Sequence, residues 1–156
     1  MSRGQPFALI LVLFLMSTLV LTSQVSPVGA VGTIYIRAAG RVEGTTSIQT
    51  ADNVTYVFLA DINDSIVVGR DNIVIDGEGY TVQGSGSGNG FRLSGISNVT
   101  VKKTNIKGFY RGISLDSSSN NSISGNTITN NSQDGICLRL TSNSCIIENS
   151  KTTNSR

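Results

Sequence analysis

The sequence predicts an all-β solenoid, a stack of coils each 22 or 23 residues long, and three observations predict it. Beyond Ala30 there is no 3.6-residue apolar stripe of useful length, so amphipathic helices are not indicated. Short β-branched runs bounded by Gly, Asn, Asp and Ser recur instead: TIYI at 33–36, TYVFL at 55–59, SIVV at 65–68, NIVID at 72–76 and NVTV at 98–101. The chain also repeats itself. GFRLS from Gly90, GISLD from Gly112 and GICLR from Gly135 lie 22 and 23 residues apart and share the order Gly, apolar, polar, Leu, polar. Composition alone leaves two classes open, because 36 Ser plus Thr and 14 Asn in 156 residues suit a disordered low-complexity chain as well as a β repeat. The fixed register decides for the repeat.

Taken in order, residues 1–30 read as an export signal. Arg3 precedes the uncharged apolar run at 7–21, and Val28 and Ala30 stand at −3 and −1 of a cleavage point. The alternative is a retained anchor, but a run of about 15 residues is short of the roughly 20 that a spanning helix needs. Removal leaves one domain outside the cytoplasm, with no membrane insertion. Residues 31–70 contain strands in poor register, as expected of irregular coils that cover the first sheet edge. From 71 to 156 the coils are regular, about five in all.

Further columns support that register. Val101, Ile123 and Ile146 step by 22 and 23, Ile128 follows Ile106 by 22, and Asn149 follows Asn126 by 23. One coil cannot bury its apolar face alone, so stacking must do it. Phe91 with Leu93, Ile113 with Leu115 and Ile136 with Leu138 are therefore expected to point inward as ladders, about 4.8 Å per rung. Asn120, Asn121, Asn126, Asn130, Asn143 and Asn149 are expected at the corners, in left-handed backbone or in amide ladders. KTTNSR at 151–156 breaks off inside what should be another coil, so a fragment of a longer protein is expected, with a bare last rung that invites edge-to-edge self-association.

Composition narrows the chemistry. There is no His, which excludes Ser-His-Asp triads, Cys-His dyads and imidazole metal sites. Charged residues make up 14% of the chain and nearly balance at +2, so nucleic acid is not an expected partner. Cys137 and Cys145 either form a disulfide in an exported chain or remain two thiols. Five Asn-x-Ser/Thr sites, at Asn53, Asn63, Asn98, Asn120 and Asn130, permit glycosylation.

DNIVIDGEGYTVQGSGSGNGFRL and then SNVTVKKTNIKGFYRGISLDSSSNNSISGNTITNNSQDGICL resemble the NosD-like right-handed parallel β-helix domains, especially the secreted forms found in archaea. The resemblance runs over roughly residues 31–156. It implies a right-handed parallel β-helix of PbH1 repeats with a pectin-lyase-like fold. For function it implies less, because one scaffold carries lyases, hydrolases, epimerases, surface proteins and binding modules. The family name implies copper delivery in the periplasm. Copper is held by His, Cys and Met, whereas here His is absent and both methionines, Met1 and Met16, lie in the export segment.

No cofactor, metal or catalytic residue is assigned. A glycoside hydrolase needs two carboxylates about 5 to 9.5 Å apart. Asp76 and Glu78 are the closest approach to such a pair, and DGEG reads more naturally as a turn. The outward columns give a better-defined surface. The Gly90, Gly112 and Gly135 register stacks Asn89, Arg111 and Asp134 before the glycines, and Ser94, Asp116 and Arg139 after the leucines. One reading pairs Arg111 with Asp134 and Asp116 with Arg139 between rungs. The other is a hydroxyl-binding strip of Arg92, Tyr110, Arg111, Ser114, Asp116, Asp134 and Arg139, on which a sugar ring stacks against Tyr110. The expectation is an exported, noncatalytic, secreted or cell-surface module that contacts polysaccharide. The alternatives are the N-terminal part of a polysaccharide lyase or hydrolase, and a copper-delivery protein.

Overall fold

The computed structural model describes residues 32–152, so the expected export segment at 1–30 lies outside the described residues. The first coil is irregular: β1 (Thr33–Ile36), β2 (Val42–Glu43), β3 (Ile48–Gln49) and β4 (Thr55–Phe58). Four regular coils of three strands follow. They are β5 (Ser65–Val68), β6 (Ile73–Asp76) and β7 (Thr81–Gln83); then β8 (Asn89–Ser94), β9 (Val99–Lys102) and β10 (Asn105–Lys107). The last two are β11 (Arg111–Asp116), β12 (Ser122–Ser124) and β13 (Thr127–Thr129), then β14 (Asp134–Arg139), β15 (Cys145–Ile147) and β16 (Ser150–Thr152).

Strands pair between coils. Sheet A runs β2-β1-β5-β8-β11-β14, sheet B runs β3-β4-β6-β9-β12-β15 and sheet C runs β7-β10-β13-β16. Pairing is parallel except at the start, where β2 returns antiparallel along β1 and β3 along β4. Those two short returns lie on the outer edges of sheets A and B and satisfy backbone groups that a bare first rung would leave open. The irregular first coil therefore lies along the first edge of sheets A and B.

The core follows from strand alternation. Ile34, Ile36, Ile66, Val68, Phe91, Leu93, Ile113 and Leu115 line the inner face of sheet A, all buried. Tyr56, Phe58, Ile73, Ile75, Val99, Val101 and Ile123 do so from sheet B, and Val82, Ile106 and Ile128 from sheet C. The Phe58 and Phe91 rings stack with centroids 6.4 Å apart. The ladder is incomplete at the last described coil. Ile136 keeps its register but is only half-buried, and Leu138 and Ile146 are 44% and 42% exposed, because no further rung lies against them among the described residues.

Two residue types set how the coils stack and turn. A Cβ on Gly90 would stand 2.6 Å from the Gly112 carbonyl oxygen, and one on Gly112 would stand 2.5 Å from that of Gly135. The glycine column thus marks a backbone-to-backbone approach that a side chain would block. The asparagines divide by role. Asn120, Asn130 and Asn143 take left-handed backbone, as do Asn53, Asn72 and Asn98. Asn121 and Asn126 turn inward, and their Oδ1 atoms accept from the Val99 and Thr104 amides of the preceding coil at 2.9 and 3.0 Å. Asn131 does the same for Phe109 at 3.0 Å. Asn149 accepts from both the backbone and side-chain nitrogens of Asn126 at 3.0 Å and donates to the Ile123 carbonyl at 2.7 Å. Buried corner amides that a three-sided coil cannot pair within its sheets are satisfied in this way.

Candidate functional site

On the outward face of sheet A the columns stand in the predicted register, and Tyr110 lies in the bend just before β11. Arg111 stands between Asn89 and Asp134, Ser114 between Arg92 and Cys137, and Asp116 between Ser94 and Arg139. Arg111 Nε donates to Asp134 Oδ2 at 3.1 Å, and that hydrogen bond raises the guanidinium pKa above its ordinary value. The same guanidinium lies 5.2 Å from the Tyr110 ring centroid, and Tyr110 is 43% exposed. The second expected pairing is absent among the described residues. Asp116 and Arg139 are in register but form no ion pair, and Asp116 Oδ1 accepts from Ser117 Oγ at 3.3 Å instead. Ser114 is only 9% exposed, so its hydroxyl lies beneath the surface that Arg92 presents.

Sequence reasoning missed the upper part of this face. Tyr35 pairs with Val67 and Val67 with Arg92, so Tyr35 lies in the Arg92 column two rungs away. Arg37 covers the Tyr35 ring at 4.1 Å and donates from Nε to Glu43 Oε2 at 2.7 Å, and Arg41 pairs with Glu43 as well. Arg70 donates to the Ala38 carbonyl at 2.6 Å. These residues fall in the stretch without regular spacing, so no column alignment reaches them. The signal that was available is the run TIYIR itself, a strand with one outward aromatic and a cation beside it.

The DGEG segment is a turn, with Glu78 at φ 48° and Gly79 at φ 83°. It nevertheless gathers charge. Asp76 is 6% exposed, and its Oδ2 takes Lys102 Nζ at 2.9 Å and Lys103 Nζ at 3.3 Å. Its Oδ1 accepts the Glu78 amide at 3.1 Å, and Lys103 also reaches Glu78 Oε1 at 3.1 Å. Burial pushes the Asp76 carboxyl up, but hydrogen bonds from Lys102, the Glu78 amide and Lys103 outweigh it and hold the carboxyl below its usual value. Both carboxylates are bound by ammonium groups, an arrangement that joins two coils and leaves neither as a free base.

Cys137 on β14 and Cys145 on β15 are free thiols in different sheets. Asn53, Asn63, Asn98, Asn120 and Asn130 are all exposed at or beside corners. Pockets are small: about 210 Å³ between the Gly84–Gly88 loop and Asn63–Ser65, and about 340 Å³ at the β14–β16 end. The first falls below the usual range for small-molecule sites, and the second lies beside Ile136 and Ile146, against which no further rung stands among the described residues.

A family model described as periplasmic copper-binding protein (NosD) matches residues 28–156. No curated protein and no solved structure matches the chain. The residues present do not fit copper. His is missing throughout, the two thiols stand on separate faces, and the described residues contain no group of three His, Cys, Asp or Glu side chains able to hold a metal ion. What the match does carry is the solenoid and an extracytoplasmic location. With coils that stack as the repeat requires and a match over most of its length, the chain belongs to the NosD family.

Proposed function

We propose that this chain is a noncatalytic, secreted or cell-surface β-solenoid module that contacts polysaccharide through the outward face of sheet A. One observation carries the reading: Arg92 stands exposed on the regular parallel sheet A and Tyr110 stands exposed in the bend that leads into β11, beside a guanidinium that is already oriented by Asp134. Aromatic rings and guanidinium forks on a flat surface suit sugar rings and their oxygens. The acidic residues that a lyase or hydrolase reading would use, Asp76 and Glu78, are held by Lys102 and Lys103, which supports a structural role for them.

Incubating the chain with a polysaccharide panel tests the proposal. Retention in affinity gels with no new chain ends or unsaturated products is expected, and cleavage products would move the assignment to an enzyme. Copper delivery has its own test. Titration with Cu(I) is expected to show no tight binding, and sub-micromolar binding that vanishes in a Cys137→Ser, Cys145→Ser double variant would restore the metal role.

A further inference from the structure

The near-neutral composition hides a sorted surface. All six arginines among the described residues, Arg37, Arg41, Arg70, Arg92, Arg111 and Arg139, lie in a sheet A strand or within two residues of one. The lysines Lys102, Lys103, Lys107 and Lys151 all lie on or beside sheets B and C. By the same measure sheet A carries Glu43, Asp64, Asp116 and Asp134, so it is net basic and the remainder of the described residues is net acidic. Sorting by residue type matters more than the small net charge. Arginine presents a planar fork that takes carboxylates in two parallel hydrogen bonds, whereas lysine is a point charge.

Most of these guanidiniums already hold carboxylates or carbonyls of the face itself. Arg37 and Arg41 take Glu43, Arg111 takes Asp134 and Arg70 takes the Ala38 carbonyl. Arg92 and Arg139 take none among the described residues, although Asp116 lies in register with Arg139. Arg92 also stands proud of its column, because the rungs on either side are Val67 and the buried Ser114. Two rungs along the same column, about 10 Å away, is the Tyr35 ring, a separation that two linked sugars span.

Resting on the polysaccharide reading above, we infer that the ligand is an acidic glycan lying along the solenoid axis. Its uronate carboxylates engage Arg92 and Arg139, and one of its rings lies against the Arg37–Tyr35 stack. Affinity electrophoresis of the full chain with alginate, dextran sulfate and neutral dextran tests this, with circular dichroism as the check on folding. Alginate is expected to retard the chain most. Arg92→Gln is expected to weaken that retention at least about tenfold, as for loss of a charge-assisted hydrogen bond, and Lys107→Gln on sheet C is expected to leave it unchanged. Equal retardation by alginate and neutral dextran would overturn the acidic ligand while the polysaccharide reading stands. Stronger retardation by dextran sulfate, or by duplex DNA added as a fourth probe, would overturn the uronate. Retention on alginate that survives an Arg92→Gln, Arg139→Gln double variant would overturn the face. No retardation by any glycan would remove both readings together.

Discussion

Gly112 illustrates how the approach of one coil to the next is decided by one missing methyl group. A Cβ there would sit 2.5 Å from the Gly135 carbonyl oxygen and 2.8 Å from Ile128, so backbone would have to move. Gly125, between β12 and β13, is a corner glycine at φ 62°, and nothing stands within 4 Å of a Cβ at that position. Gly112→Ala is therefore expected to cost about 2 to 3 kcal/mol, as overpacking does, and Gly125→Ala only about 1 kcal/mol, the cost of left-handed backbone. Urea unfolding of the two variants checks the order. Asp76 supplies a second prediction. Its carboxyl is held below the ordinary value in the folded chain, so its contribution to stability is fully present above the unfolded pKa, near about 3.9. The contribution is lost as pH falls through the lower folded value. The urea midpoint of Asp76→Asn is expected to lie below that of the wild type at pH 7 and to converge with it in acid. Curves that stay parallel down to the lowest pH would assign Asp76 no such part.

At the scale of the strand, what matters is whether a rung has a neighbour on both sides. Leu93, Leu115 and Leu138 occupy one column of sheet A with the same side chain, yet Leu115 is fully buried and Leu138 is 44% exposed. Leu115→Ala is expected to cost about 2 to 5 kcal/mol, and Leu138→Ala about 1 kcal/mol or less, since little apolar surface leaves water there. Thermal or urea denaturation of the pair checks it. The strands were largely legible in the sequence. TIYI and SIVV coincide with β1 and β5, whereas β6 and β9 begin one residue later than their apolar runs because Asn72 and Asn98 are left-handed corners. Asn131 went unread as a ladder residue. Its signal was the five-residue spacing of Asn121, Asn126 and Asn131, one for each corner of a single coil.

For the whole molecule, the coil is the unit of stability, since each one packs only on its neighbours. Deleting residues 112–134 removes one 23-residue coil and joins Arg111 to Gly135 in register. The shortened chain is expected to fold with a smaller urea m-value and lower stability. Deleting 112–123 instead breaks the register and is expected to abolish cooperative unfolding. Circular dichroism with urea distinguishes the two, and equal behaviour would contradict stacking as the source of stability. The candidate face also belongs to this scale. Its lower half was readable as columns, but its upper half comes from a coil whose strands reverse direction, and side chains brought together by such returns share no fixed spacing.

Periodicity was enough to read the fold class, the coil length, the inward ladders and the outward columns of the regular coils. A parallel stack converts a constant spacing in the chain into a constant neighbour in space. Three matters needed the folded molecule. Asp116 and Arg139 share a register without pairing, because register sets Cα positions and not where a long side chain lies. The DGEG turn brings Asp76 and Glu78 onto Lys103 of the next coil, a contact made by the corner conformation. The arginines gather on one face because strands far apart in sequence enter the same sheet, and composition sums charge without regard to which side of the solenoid carries it.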